Sequence, residues 1–285
     1  MRILHLTDTH ISAADPSGGP VLHQGRIDAR AALDGVLTRL ADIGPLDAVV
    51  HSGDASDDGS EDSYRHLERV IGDFARAHGA EHTIAMGNHD VPAGWNAATG
   101  LPTVRCQRVG DGRIITLDTS VPRAGYGHVG AEQREEVAAI LAESVDGPTI
   151  AVLHHPPFPV TSRLFQALSL DGLDELRELL EGRVDLILSG HLHAATSGRL
   201  GSVPVHVAPG IVNVTDPSAA LAGEAGEKEV ALGLSGASLV DVGADGCRIQ
   251  SFHWPNAGDT GEVTEPVYSF DADTITRIVE AAGRK

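Results

Sequence analysis

The sequence predicts an α/β protein in which helices cover a layered sheet. The first observation is that short apolar runs of strand length alternate with amphipathic stretches from Met1 to about Leu200. The second is that the intervening apolar residues recur at helical spacing, as in the stretches Leu33–Leu40, Val137–Leu141 and Leu173–Leu180. The strands expected from the apolar runs are Ile3–Thr7, Ala48–Ser52, Thr83–Met86, Ile114–Leu117, Thr149–Leu153 and Leu186–Ser189.

After His193 the pattern changes to short strand-like runs separated by Gly, Pro and Asp. These runs are Val203–Val207, Ala237–Val242 and Arg248–Trp254, and a helix is expected over Asp273–Ala282. The segment Ala219–Glu229 is expected to form a mobile loop or a short helix. We therefore expect residues 1–285 to form a single domain, with catalytic motifs within residues 8–193 and additional strands and a C-terminal helix over residues 203–285.

Composition limits the partners of the protein. The 285 residues include 21 Lys+Arg and 40 Asp+Glu, a formal net charge of −19, with much of the acidity in the predicted surface patches Asp57–Asp62 and Glu224–Glu229. This charge argues against long nucleic acids and anionic membranes. No apolar run approaches the roughly 20 residues of a spanning helix, so we expect a cytoplasmic protein. Cys106 and Cys247 belong to no CxxC pattern and predict neither a thiolate metal site nor a disulfide framework.

Polar blocks follow five of the predicted strands. They are Asp8-x-His10, Gly53-Asp54, Gly87-Asn88-His89-Asp90, His154-His155-Pro156 and Gly190-His191-Leu192-His193. In open α/β sheets the carboxyl ends of the strands converge on one crevice, so these blocks are expected to meet there. The first and last blocks contain polar pairs spaced by two, which extended chain would direct to the same side. Seven candidate ligands result: Asp8, His10, Asp54, Asn88, His154, His191 and His193.

This ligand set predicts a dinuclear metal site. Carboxylate, amide and imidazole ligands without sulfur suit Mn²⁺, Fe²⁺/Fe³⁺ or Zn²⁺. If Asp54 bridges, two ions each obtain four protein ligands and keep positions open for water and substrate. The glycines at 53, 87 and 190 would let the backbone approach the ions. Each block alone is explained equally well by a turn or a helix cap, but five such blocks at strand ends favour one site.

The remaining histidines are expected to be structural. His66, His78, His82, His206 and His253 are predicted at surface or partly buried positions, and His5 and His51 lie inside predicted strands.

The order of the five blocks resembles that of the calcineurin-like metallophosphoesterases, over roughly the first 210 residues. The resemblance implies a four-layer αββα sandwich. It also implies one ion held by Asp8, His10, Asp54 and His193, and a second held by Asp54, Asn88, His154 and His191. His89 would bind the substrate phosphate or protonate the leaving oxygen, so that the implied catalytic set is His89, Asp54 and Asn88.

Within that superfamily the sequence is most similar to the bacterial class III cyclic nucleotide phosphodiesterases and related glycerophosphodiesterases. The stretches that support this likeness are Met86–Asp90, Ile114–Pro122, His154–Pro159 and Gly190–His193. The segment Leu22–Asp28 departs from those relatives, which affects the edge of the pocket. We hypothesise that a metal-bridging hydroxide attacks a small phosphodiester, foremost 3′,5′-cyclic AMP. Asp90 would orient a neighbouring group without binding metal.

Several alternatives stay open on the sequence alone. The substrate class extends to glycerophosphodiesters and to a broader set of phosphodiesters and phosphomonoesters, and the same metal pair would serve a phosphoprotein phosphatase or a nuclease. A binding scaffold without catalysis is the alternative from a different functional class. The segment Phe158–Gly172 is either a lid over the leaving group or an ordinary surface connection. Close relatives are frequently homo-oligomers, but no apolar stripe assigns an interface.

Overall fold

The computed structural model describes residues 1–222, 227–262 and 265–282. The strands are β1 (Arg2–Leu6), β2 (Ala48–His51), β3 (Glu81–Ile84), β4 (Arg105–Val109), β5 (Gly112–Thr116), β6 (Gly127–His128), β7 (Thr149–Val152), β8 (Leu170–Asp171), β9 (Leu186–Ser189), β10 (Thr196–Leu200), β11 (Val203–Val207), β12 (Val214–Thr215), β13 (Glu229–Leu232), β14 (Leu234–Gly243), β15 (Gly246–Pro255) and β16 (Tyr268–Phe270). The helices are α1 (Ala29–Arg39), α2 (Glu61–Ala77), α3 (Pro92–Thr99), α4 (Ala131–Ala142), α5 (Arg163–Ala167), α6 (Leu173–Leu180) and α7 (Ala272–Ala281).

Two large mixed sheets contain most of the strands. The first has the order β15-β14-β1-β2-β3, in which β1, β2 and β3 are parallel. The second has the order β10-β11-β9-β7-β5-β4, and its central strands β5, β7, β9 and β11 are parallel. Because parallel strands end at the same edge of a sheet, the polar blocks that follow β1, β2, β7 and β9 are brought to one side of the molecule.

The apolar residues form three layers of core that separate four layers of secondary structure. Side chains alternate along each strand, so Val49 packs under the helices while Val50 faces the other sheet. Leu33 of α1 and Leu67 of α2 cover the outer face of the first sheet. Leu176 of α6 belongs to the core on the outer face of the second sheet. The predicted αββα sandwich is therefore confirmed.

The C-terminal third completes the first sheet and adds a small one. β14 pairs antiparallel with β1, and β15 pairs along the full length of β14. A three-stranded sheet in the order β12-β13-β16 lies beside the sandwich, and α7 contacts α5. Within the described parts of the chain, no helix combines the length and the apolarity that crossing a bilayer requires.

The predicted elements are present, with some corrections. All six N-terminal strands, the three later strands and the C-terminal helix occur within a few residues of their expected bounds. His206 is wrongly predicted as a surface or partly buried position: it is buried, and its Nε2 lies 2.9 Å from the hydroxyl of Ser238. Of the segment expected to be a loop or a short helix, Ala219–Ala222 forms a 3-10 helix and Glu229 begins β13. Residues 223–226 of that segment lie outside the described residues.

An ion pair joins the N-terminal part of the chain to its C-terminal part. The guanidinium of Arg26 donates from Nε and Nη2 to the two carboxylate oxygens of Asp259, at 2.6 and 2.9 Å. Both side chains are largely buried. The loop that contains Arg26 also includes His23, so this pair holds one wall of the crevice in place.

We expect Asp259→Ala to lower the free energy of unfolding by about 2 kcal/mol, because it removes the carboxylate that pairs with the largely buried guanidinium of Arg26. Urea denaturation measures the change. The matched control is Asp241→Ala, which breaks the Arg248–Asp241 pair, in which Arg248 is exposed. That pair should contribute less than about 1 kcal/mol. An equal loss in the two variants would contradict a structural role for the Arg26–Asp259 pair.

Candidate metal centre

The loops that follow β1, β2, β3, β7 and β9 bring all seven predicted ligands to one crevice. Single ligand atoms of Asp8, His10, Asp54 and His193 lie within 4.8 Å of one another, as do those of Asp54, His154 and His191. Asn88 lines the same cavity, whose volume is about 180 Å³. Asp54 belongs to both groups, which is the position that the predicted bridge between two ions requires.

The backbone at the two ligand pairs, Asp8/His10 and His191/His193, is not extended, although their spacing of two residues predicts extended chain. Five ligand residues have left-handed backbone conformations, with φ values of 54° at Asp8, 49° at His10, 51° at Asp54, 73° at His191 and 51° at His193. The prediction of extended pairs is therefore wrong, although each pair still meets in the crevice. Such conformations cost on the order of 1–3 kcal/mol each for residues other than glycine and concentrate at functional sites. Surrounding contacts must hold them.

Hydrogen bonds between the loops supply those contacts. The amides of Asp8 and His10 donate to the carbonyls of Gly53 and Asp54, each at 3.0 Å. Asp90 lies outside the ligand cluster, and its carboxylate accepts from the amides of Ala55, Ser56 and Gly87 at 3.1, 3.0 and 2.8 Å. Asp90 thus ties together the loops that present Asp54 and Asn88. A side chain at Gly87 would overlap Asp54, so only glycine fits this close approach.

Each of the four candidate histidine ligands is oriented by a hydrogen bond from one ring nitrogen. Nδ1 of His10 donates to Asp57, and Nδ1 of His154 donates to the carbonyl of Ser52, at 2.7 and 2.9 Å. His193 contacts Asn213 Oδ1 through Nδ1 at 3.0 Å, and His191 contacts the carbonyl of Leu168 through Nε2 at 3.1 Å. Because these partners only accept, the bonded nitrogen carries a proton, and in the neutral ring the other nitrogen has a free lone pair.

The free ring nitrogens and the carboxylates face one another. Nε2 of His10 lies 3.3 Å from Nε2 of His193, and Nε2 of His154 lies 3.2 Å from a carboxylate oxygen of Asp54. Among the described residues, His154 Nε2 and Asn88 Oδ1 are buried without a hydrogen bond of good geometry. A cluster of acceptors without donors is unfavourable unless cations lie between them. The donor set and its geometry therefore fit divalent metal ions.

Burial and charge shift the pKa values of the ligand residues in different directions. Burial lowers the pKa of His154, but the carboxylates of Asp54 and Asp8 outweigh it and raise that pKa to about 9. Burial, together with neighbouring histidines, keeps the pKa values of His191 and His193 well below the ordinary value, so both rings stay neutral. Burial raises the pKa of Asp8 to about 7. Burial would also raise the pKa of Asp54, but the adjacent His154 outweighs it and holds that pKa well below its usual range. The Asp54 carboxyl therefore stays ionised and attracts positive charge into the crevice.

Two residues that the sequence analysis missed organise the rim of the crevice. Asp57 begins the acidic stretch Asp57–Asp62, and its partly exposed carboxylate contacts three histidines. Its Oδ1 lies 2.7 Å from His10 Nδ1 and 3.2 Å from His89 Nδ1, while its Oδ2 lies 2.7 Å from His23 Nδ1. The signals available were the position of Asp57 three residues after Asp54 and the place of His23 in the departing segment Leu22–Asp28.

His89 lies at the rim of the crevice and is not one of the buried candidate ligands. Its side chain is 46% exposed, and the charge of Asp54 raises its pKa to about 9 despite partial desolvation. A protonated imidazole at this position would be a source of a proton for a leaving oxygen. Its backbone amide donates to Asp54 Oδ1 at 2.9 Å, which fixes both residues relative to each other.

An apolar wall faces the polar ligands across the cavity. It is built by residues from α5, β16 and α7 and the residue after α5, namely Leu164, Phe165, Leu168, Tyr268, Phe270 and Ile278. The segment Phe158–Gly172 thus borders the cavity, as a lid would, and touches His191 through the carbonyl of Leu168. The contribution of β16 and α7 was not predicted.

The chain is similar in sequence to known phosphoesterases. The family model described as calcineurin-like phosphoesterase matches residues 1–195. A cAMP/cGMP dual specificity phosphodiesterase of Mycobacterium tuberculosis is 35% identical over 85% of this chain and 76% of its own length. A probable cyclic nucleotide phosphodiesterase of Rhodococcus erythropolis is 32% identical over 99% of this chain and 91% of its own length.

Solved structures share the fold. A dimetal phosphatase from Danio rerio superposes with a TM-score of 0.53 over 90% of this chain and 99% of that chain, at 11% sequence identity. At this identity the match shows the fold alone. Together with the family match, it confirms the resemblance drawn from the five motif blocks. The chain belongs to the calcineurin-like phosphoesterase family.

Proposed function

We propose that this protein is a dinuclear metal-dependent phosphodiesterase that hydrolyses cyclic nucleotides, with 3′,5′-cyclic AMP as its foremost substrate. The observation that carries the proposal is the orientation of four imidazole lone pairs toward two buried carboxylates. The names of the relatives from Mycobacterium tuberculosis and Rhodococcus erythropolis support the substrate class. No ligand of the family pattern is missing, which argues against a binding scaffold without catalysis.

The proposed ligands divide into two sets that share Asp54. The first set is Asp8, His10, Asp54 and His193, and the second is Asp54, Asn88, His154 and His191. When bound, two divalent cations supply Lewis-acid activation of water and of the phosphoryl oxygens. The oxygen and nitrogen donors suit Mn²⁺, Fe²⁺/Fe³⁺ or Zn²⁺.

Two residues at the rim of the crevice have proposed roles toward the substrate. Asn88 is expected to help position the phosphate, because it lines the same cavity as His89 and the ligand histidines. His89 Nδ1 donates to Asp57, so the opposite nitrogen, Nε2, is the atom that would donate a proton to the leaving oxygen as the P–O bond breaks. Asp57 holds the ring in the required orientation.

The proposal extends to the organisation and the setting of the protein. We propose that residues 1–285 act as one domain, since β14 completes the sheet that begins with β1. A cytoplasmic location agrees with two cysteines that are free and exposed. The net charge of −19 argues against long nucleic acids as substrates. A homo-oligomer stays a prediction, which light scattering of the purified protein would check.

The central test is hydrolysis by protein loaded with Mn²⁺. We expect it to hydrolyse bis(p-nitrophenyl) phosphate and 3′,5′-cyclic AMP, and to hold about two metal ions per chain by elemental analysis. Asp54→Asn should lose metal and lower kcat/KM by at least about 100-fold, because the shared ligand loses its charge. The control Asp241→Asn changes an acid on β14 that is not among the candidate ligands, and it should behave like the wild type. A fully loaded wild-type protein that hydrolyses no phosphoester would contradict the proposed function.

The role of His89 predicts a dependence on the leaving group. His89→Ala should lower kcat for an alkoxide leaving group, as in cyclic AMP, by about 10²–10⁴-fold, the usual contribution of a general acid. Hydrolysis of bis(p-nitrophenyl) phosphate should fall much less, because p-nitrophenolate leaves without protonation. Steady-state kinetics with both substrates measures the difference. Retention of both metals with full activity on cyclic AMP would exclude His89 as the acid.

His23 should act by positioning Asp57 and, through it, His89. His23→Phe keeps the ring but removes the hydrogen bond to Asp57, and we expect kcat for cyclic AMP to fall about 10-fold with little change in KM. His23→Asn can place its amide nitrogen near the former Nδ1, so it should recover most of the loss. Equal activities of the Phe and Asn variants would show that the hydrogen bond is not what matters.

A further inference from the structure

A second cavity lies next to the catalytic one. Its volume is about 450 Å³, and it is bounded by the segment Phe158–Gly172, by β10 and by the small sheet β12-β13-β16. Phe158, Phe165, Leu192 and Ala194 form apolar walls. Phe165 also lines the catalytic cavity, where its ring stands 5.4 Å from that of His191. The two cavities therefore share Phe165 as a lining residue.

Glu229 is a buried carboxylate on the wall of this second cavity. Glu229 is 2% exposed, and its carboxylate accepts a hydrogen bond from the hydroxyl of Ser162 at 3.0 Å. Among the described residues, no cation forms an ion pair with it; the guanidinium of Arg199, also on the wall, donates to the carbonyls of Gly201 and Ser202. Burial raises the pKa of Glu229 to about 7. One acid thus faces the cavity with a single neutral donor.

Glu227, two residues earlier, is a buried carboxylate that has a cationic partner. It accepts from the backbone amide of Arg163 at 2.9 Å and lies 3.2 Å from the Nε of the same residue. Glu229, the first residue of β13, has no such cationic partner among the described residues, so a donor from a ligand would complete its hydrogen bonding. Leaving such a group unpaired in an apolar cavity is unfavourable.

The register of the small sheet connects Glu229 to the catalytic cavity. Glu229 on β13 lies directly opposite Phe270 on β16, so the two side chains share one face of the sheet, with their Cβ atoms roughly 5 Å apart. Phe270 lines the catalytic cavity. That cavity, about 180 Å³, is smaller than the roughly 300–1,000 Å³ of most sites for small molecules. A nucleotide with its phosphate at the metal centre needs additional space for its base.

We infer that the second cavity receives the base of the nucleotide, with Glu229 accepting a hydrogen bond from the exocyclic amino group. The inference rests on the proposed function and names a determinant of its substrate choice. Aromatic walls suit a planar ring, and a buried acceptor selects strongly against a base that lacks the matching N–H. Glycerophosphodiesters, which carry no base, would leave Glu229 unpaired. The position of Glu229 therefore favours cyclic nucleotides whose base carries an amino group over glycerophosphodiesters.

The inference is tested by measuring the binding of two nucleotides that contain no phosphodiester bond. The probes are 5′-AMP and 6-chloropurine riboside 5′-monophosphate, in which chlorine replaces the amino group, measured by calorimetry on the metal-loaded protein. The wild type should bind 5′-AMP at least 10-fold more tightly than the chloro analogue. Glu229→Met, which keeps the size of the side chain and removes the acceptor, should reduce this preference to less than 3-fold. Glu229→Gln should fall between the two.

The control Glu227→Met removes the neighbouring buried acid that already has a partner. It should lower the melting temperature without changing the preference between the two nucleotides. Equal affinities of the wild type for both nucleotides, or an unchanged preference in Glu229→Met, would overturn the inference. The first of these outcomes does not depend on the folding of any variant. Intact discrimination in a protein that hydrolyses no phosphodiester would instead contradict the proposed function and support the base site.

Discussion

The orientation of four histidine rings is the constraint on which the rest of the site depends. His10, His154, His191 and His193 each direct one nitrogen to a hydrogen-bond acceptor outside the cluster and the other inward. The inward lone pairs meet two carboxylates in a buried space, which is stable only around positive charge. A candidate site for divalent metal ions follows from this convergence of acceptors more directly than from the identity of the residues alone.

The candidate ligands meet only because the backbone of several of them adopts strained conformations. Five ligand residues have positive φ values, and hydrogen bonds between loops from both sheets keep them in place. The amide of His191, from the second sheet, donates to the carboxylate of Asp8, from the first. The packed layer between the sheets, including Ile3 and Leu188, sets the distance between these loops. Core packing and metal geometry are therefore coupled, since a shift of one sheet would separate the two halves of the site.

The C-terminal third shapes the substrate side of the crevice. The N-terminal motifs supply the polar half of the cavity, whereas Tyr268 and Phe270 supply much of the apolar half. The small sheet places Glu229 beside Phe270 and so links the catalytic cavity to a larger one. The same region anchors the loop of His23 through the Arg26–Asp259 ion pair. The candidate metal ligands and much of the apolar wall thus come from different parts of one chain.

The sequence by itself determined the layered α/β fold and the convergence of the five blocks, because strand periodicity and motifs at strand ends are local features. It did not reveal the left-handed conformations of the ligand residues or the contacts of Asp57, His23 and Glu229. Asp57 contacts a histidine 34 positions away, and Ser162 contacts Glu229 across 67 positions. Such partners are chosen by the packing of distant segments, which no local pattern encodes. Only the tertiary structure shows that Asp57, in an acidic stretch of the sequence, contacts three histidines.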